Sequence, residues 1–145
     1  MINPAFEIPS DPIYITEASS RIINSLKDFN LKEDVIFDIR LSVEEAVINA
    51  IKYGNNFKKD LPILINYSIT GDRLEIIVKD MGKGFDYSSL PDPTSQENIL
   101  KSGGRGLFLI RNLMDEIKFN DKGNEIKMVK FLTGGKLYGS KRQKG

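Results

Sequence analysis

The chain has 145 residues, with 21 Lys plus Arg against 20 Asp plus Glu and neither cysteine nor histidine. That length predicts one domain with a core large enough to fold unaided, and the missing residue types exclude disulfides, thiol nucleophiles, Cys/His zinc sites and any Ser-His-Asp triad. A formal net charge of +1 gives no global field toward nucleic acid, residues 1–9 are unlike a signal peptide, and no apolar run reaches a membrane span, so a cytoplasmic protein with no membrane or direct nucleic-acid partner is expected.

Phe6-Glu7-Ile8 alternates and is closed by Pro9 and Pro12, as an edge strand does. Ile22, Ile23, Leu26 and Phe29 keep a helical period behind Thr16, a capping residue, which predicts a first amphipathic helix over 17–29. Val35, Ile36, Ile39, Val43, Val47, Ala50 and Ile51 predict a second helix from Lys32 or Asp34 to about Tyr53, stopped by Gly54-Asn55-Asn56. Ile63, Ile65, Tyr67 and Ile69 alternate with polar or less buried partners; Gly71-Asp72 then turns the chain into Leu74, Ile76 and Val78, a hairpin. Residues 81–103 hold glycines, prolines and short polar residues without a period, a long loop of the kind that serves as a functional lid. Leu107, Phe108, Ile110, Leu113 and Met114 predict a third helix, and 117–119 with 126–132 a last hairpin around Asp121-Lys122-Gly123-Asn124. One domain over 1–132 and a basic, flexible tail over 133–145 are expected.

Three stretches carry chemistry. Glu45 and Asn49 stand four residues apart, one turn on one helix face, a base beside a neutral oxygen suited to Mg²⁺. Lys52 follows at helical spacing and offers charge to phosphate. Asp80 ends a strand, an acceptor for the exocyclic amine of adenine, and Gly82 and Gly84 let the backbone pass beneath a flat base. Gly103-Gly104-Arg105-Gly106-Leu107 opens a helix whose free N–H groups suit phosphate oxygens, with Arg105 serving phosphate or lid. Taken singly, each has a plainer reading: a solvated helix face, a turn residue closing a hairpin, a glycine hinge. The order base, metal ligand, adenine acceptor, phosphate cradle is what the plainer readings leave unaccounted for.

In that order the stretches resemble the N box and the two glycine boxes of the GHKL ATPase superfamily, and within it the RsbW/SpoIIAB-type anti-sigma-factor serine/threonine kinases, through LSVEEAVINAIKYG, VKDMGKGFD, GGRGLFLIRNLMDEIKF and GNEIKMVKFL, over roughly 6–132. The resemblance implies an α+β fold, a two-layer α/β sandwich of Bergerat type with helices on one face of a mostly antiparallel mixed sheet, and ATP beneath a lid at 81–103. It implies Glu45 as catalytic base, Asn49 as Mg²⁺ ligand, Asp80 as adenine reader, and backbone contacts at Gly82, Gly84, Gly104 and Gly106, with Leu107 closing the second glycine box. Lys52 and Tyr53 resemble the pair that neighbours phosphate and base in histidine kinases. Asn124 departs from the threonine of many relatives, and Arg21 falls near where relatives bind their sigma factor. The implied activity is ATP- and Mg²⁺-dependent phosphorylation of an anti-sigma-factor antagonist, alternating with binding of a sigma factor, in a homodimer. The alternative is an ATP-dependent partner-binding module without phosphotransfer. A histidine kinase would need a phosphoacceptor histidine and a dimerisation helix pair, and a gyrase-type ATPase a transducing domain.

Overall fold

The computed structural model describes residues 5–82 and 104–132. The expected lid from 83 onward, Gly84 within it, and the expected basic tail lie outside the described residues. β1 (Ala5–Pro9), β2 (Pro62–Thr70), β3 (Arg73–Lys79), β4 (Glu116–Phe119) and β5 (Glu125–Phe131) form one sheet in the order β1-β2-β3-β5-β4. The expected sheet was mostly antiparallel and mixed; the four pairings described are all antiparallel, with no parallel pair among the described strands. No described helix is long and apolar enough to cross a membrane.

Register follows from the alternation. Ile63 and Ile65 of β2, Leu74, Ile76 and Val78 of β3 and Ile126 and Met128 of β5 share one face and are buried. A slip by one residue would turn Glu75, Lys79 and Lys127 into that layer instead, so burial of a side chain of this size, about 1.5–3 kcal/mol each, fixes the pairing. Among the described residues, three helices cover this face: α1 (Ile15–Asn24), α2 (Glu33–Asn49) and α3 (Gly104–Leu113). Val35, Ile39, Val43 and Val47 of α2 and Ala18 and Ile22 of α1 meet the sheet isoleucines in one core.

The first helix differs from its expectation at both ends. Thr16 is not its cap: Pro12 pre-sets a tight turn over Pro12–Tyr14, Asp11 Oδ1 accepts the Ile13 N–H (3.2 Å), and the helix runs on from Ile15. It ends at Asn24, because Ser25 and Leu26 N–H bond to Ile22 and Ile23 carbonyls in a tightened turn (3.1 and 3.0 Å) and Asn30 at φ 53° reverses the chain. Arg21 lies exposed on α1 with its guanidinium 4.1 Å from the centre of the Phe6 ring.

One inward position of β5 holds a charge. Lys130 is fully buried, its ammonium 2.9 Å from Asp38 Oδ2 on α2 and 2.6 Å from the Leu113 carbonyl at the end of α3. The cation sits where the helix dipole of α3 is negative, and it ties sheet, α2 and α3 at one point.

Candidate functional site

α2 does not stop at Asn49. Its hydrogen bonding widens over Ala50–Gly54, where the Asn55 N–H reaches back five residues to the Ala50 carbonyl (2.9 Å). Asn56 and Phe57 then take left-handed φ of 52° and 60°, which reverse the chain toward β2. The widened turn brings Tyr53 and Gly54 to the end of β3, where Asp80 stands.

A cleft with about 490 Å³ of empty space, partly open to solvent, lies between the helices and this end of the sheet. Its walls are apolar: Val78, Phe119 and Ile126 from the sheet, Ala46 and Ala50 from α2 and the turn after it, and Leu107 and Ile110 from α3. Asn49, Tyr53, Asp80 and Asn124 supply polar groups. An apolar cleft with few convergent polar groups has the form of a small-molecule site.

Asp80 is 9% exposed. Its backbone pairs with Asn124, the Asp80 N–H donating to the Asn124 carbonyl (2.9 Å) and the Asn124 Nδ2 to the Asp80 carbonyl (3.3 Å). One carboxylate oxygen, Oδ1, accepts the Gly82 N–H (2.8 Å), and the other has no hydrogen-bond donor among the described residues. Burial pushes the carboxyl above its ordinary pKa, while the Gly82 N–H and the charge of Lys122 oppose the shift. A buried acceptor with an oxygen to spare, facing a cleft, suits a ligand N–H. Gly54 is pressed against it: a Cβ there would overlap the Asp80 carboxylate, and a Cβ on Gly82 would overlap the Gly54 carbonyl.

At the other end, Glu45 and Asn49 are partly buried on one flank of α2. Gly104 and Arg105 open α3, and the Arg105 side chain lies outside what the structure describes. Gly106 passes so close to α2 that a methyl group on it would fall 2.8 Å from Asn49 Nδ2 and 3.1 Å from Glu45 Oε2. The second glycine stretch therefore lies on the carboxylate and carboxamide of the first, which spacing along the chain alone could not establish.

Of the residues singled out in the sequence, Asn49, Tyr53, Asp80 and Leu107 line the cleft; Glu45 and Gly106 adjoin Asn49, and Gly82 adjoins Asp80. Lys52 does not line it: its side chain is exposed, with the ammonium 5.3 Å from the centre of the Tyr53 ring. The widened turn carries Lys52 round to solvent, where the regular helical spacing expected it beside Asn49. Asn124, which departs from threonine, is engaged in the scaffold, its Oδ1 accepting from Asn120 Nδ2 (2.7 Å). Gly54 and Asn55 were legible only as a helix stop. Nothing in a Gly-Asn pair signals that one packs on a carboxylate and the other is buried.

The histidine kinase-like ATPase domain family matches residues 8–130. The serine-protein kinase RsbW of Staphylococcus epidermidis is 41% identical over 109 residues, 68% of this chain and 67% of its own length. The serine-protein kinase RsbW of Oceanobacillus iheyensis is 31% identical over 134 residues, 88% of this chain and 85% of its own, and that of Bacillus subtilis 29% over 138 residues, 90% and 86%.

Proposed function

The chain belongs to the histidine kinase-like ATPase domain family, and on that premise we propose that it is an ATP- and Mg²⁺-dependent protein serine/threonine kinase of the anti-sigma-factor type. Its substrate is a serine or threonine on an anti-sigma-factor antagonist, and in its other state it holds a sigma factor; it works as a homodimer. The relatives named serine-protein kinase support the activity.

One observation carries the reading of the site: the backbone of Gly106 lies against both Asn49 and Glu45, while the buried Asp80 lines the same cleft as Asn49. Purine and triphosphate then have separate stations. The free oxygen of Asp80 accepts the exocyclic amine of adenine, and the apolar walls take the ring. The opening N–H groups of α3, from Gly104 through Leu107, donate to phosphate oxygens at a positive helix end. The donor set fits Mg²⁺, a hard cation that takes few protein ligands: one neutral carboxamide oxygen from Asn49, with phosphates and water for the rest. When bound, the metal neutralises phosphate charge during transfer. Glu45, one turn before Asn49, accepts the proton of the attacking serine hydroxyl. Arg105 serves phosphate or lid, and Tyr53 borders the base.

The test is transfer of labelled γ-phosphate to a candidate antagonist protein. Wild type is expected to label a serine or threonine on it, and Glu45→Gln to bind ATP with unchanged affinity while transfer falls by at least about a hundredfold. Transfer by Glu45→Gln at the wild-type rate would remove Glu45 as base. Tight ATP binding by wild type with no label on any antagonist would favour the partner-binding module instead.

A further inference from the structure

Asn55 is 1% exposed and uses its whole side chain. Nδ2 donates to Ser10 Oγ (2.9 Å) and to the Pro62 carbonyl (3.1 Å), with the Leu61 carbonyl at 3.4 Å. Oδ1 accepts the Met81 N–H (2.8 Å). Ser10 Oγ in turn donates to the Leu61 carbonyl (2.6 Å), so the carboxamide is locked on its donor side by the end of β1 and the start of β2. Its backbone N–H closes the widened turn at Ala50. The amide is a bracket with four segments of chain around it.

What the bracket holds is the peptide between Asp80 and Met81. Asp80 stands just past the end of β3, where ladder hydrogen bonds no longer fix the backbone. Two contacts act there: the pairing with Asn124 on one side and the Met81 N–H on Asn55 on the other. Asp80 Oδ1 is then used by the Gly82 N–H, which leaves Oδ2 as the oxygen that can meet a ligand. If the Met81 N–H loses its acceptor, the Asp80-Met81-Gly82 turn can rotate and the free oxygen no longer has a fixed direction. Burial of Asn55 makes this connection strong, because its Oδ1 is removed from water and the Met81 N–H is the donor it meets.

We infer that Asn55 is a positioning residue for purine selectivity, holding the Asp80 carboxylate in line with the 6-amino group of the base without touching the nucleotide itself. The inference rests on the reading of Asp80 as adenine acceptor. It extends the site to a residue from a different element, beyond the three motif stretches.

ATP and ITP separate this role from a merely structural one, because inosine presents a carbonyl where adenine presents the amine. Affinities of both, with Mg²⁺, are measured by titration calorimetry on wild type, Asn55→Ala and Ser10→Ala. Wild type is expected to prefer ATP by roughly ten- to a hundredfold, the range for a hydrogen bond to a charged group. In Asn55→Ala the preference should fall to within about threefold of unity through loss of ATP affinity, with ITP affinity changed by less than about threefold. Equal weakening of both nucleotides, or an intact preference, would overturn the inference. If Asn55→Ala does not fold, Ser10→Ala decides: it removes one restraint on the carboxamide, so a preference reduced by at least about twofold supports the role and an unchanged one overturns it. A wild type that fails to discriminate ATP from ITP would sink the reading of Asp80 itself, a result distinct from the others.

Discussion

Asp80 is a carboxyl whose burial works against its charge. Its folded pKa lies above the ordinary 3.8, chiefly because the cleft penalises the ionised form. For an acid shifted in that direction the unfolded chain releases its proton first as pH rises. The folded state therefore loses stability between the ordinary and the raised value, and below both the penalty is absent. Asparagine mimics the protonated form and keeps an acceptor for the Gly82 N–H. Nucleotide-free Asp80→Asn is thus expected to melt above wild type at neutral pH, with the gap closing as pH is lowered toward about 4, and to lose its preference for ATP over ITP. Thermal melts across pH check the first part; a wild type more stable than the variant at neutral pH would contradict it. The residue types in this cleft were readable because each carries its own chemistry: a carboxylate, a carboxamide, glycines. Asn55 was not, since its partners Ser10 and Met81 lie 45 and 26 residues away in the chain and only folding makes them neighbours.

At the scale of elements, apolar periodicity identified both hairpins, the edge strand and the three helices, because each buries one face and the period of that face is set by backbone geometry. Two features escaped it. The widened turn over Ala50–Gly54 keeps the apolar pattern of a regular helix, yet it moves Lys52 away from the cleft and Gly54 onto Asp80. Lys130 occupies an inward place in the alternation Ile126, Met128, Lys130, where Asp38 and the end of α3 meet its charge. The pair predicts a particular pattern of stability. Lys130→Met removes the cation 2.9 Å from the buried Asp38 carboxylate and is expected to lose about 3–5 kcal/mol. Adding Asp38→Asn should recover most of that loss, as read from urea denaturation. Equal destabilisation by the single and the double variant would show that the ion pair is not what the single substitution disturbs.

For the molecule as a whole, the two-layer arrangement explains why distant stretches make one site. The sheet ends at Asp80, the widened end of α2 turns over that edge, and α3 begins against α2 at Gly106, so the cleft is lined by groups from different layers. The order of the motifs in the chain hinted at this division, but the depth of the cleft and the crossing of α3 over α2 are products of core packing that no local pattern encodes. On the proposed reading the helices grip the phosphates while the sheet edge selects the base, and transfer to a partner protein occurs where Glu45 adjoins Asn49 and Gly106. The most direct test is a crystal structure of the chain with Mg²⁺ and a non-hydrolysable ATP analogue. The account predicts the adenine amine within hydrogen-bond distance of the Asp80 carboxylate, the metal on Asn49 Oδ1 at about 2.1 Å, and phosphate oxygens on the first N–H groups of α3. A nucleotide bound elsewhere, or bound with its phosphates at Asp80, would contradict it.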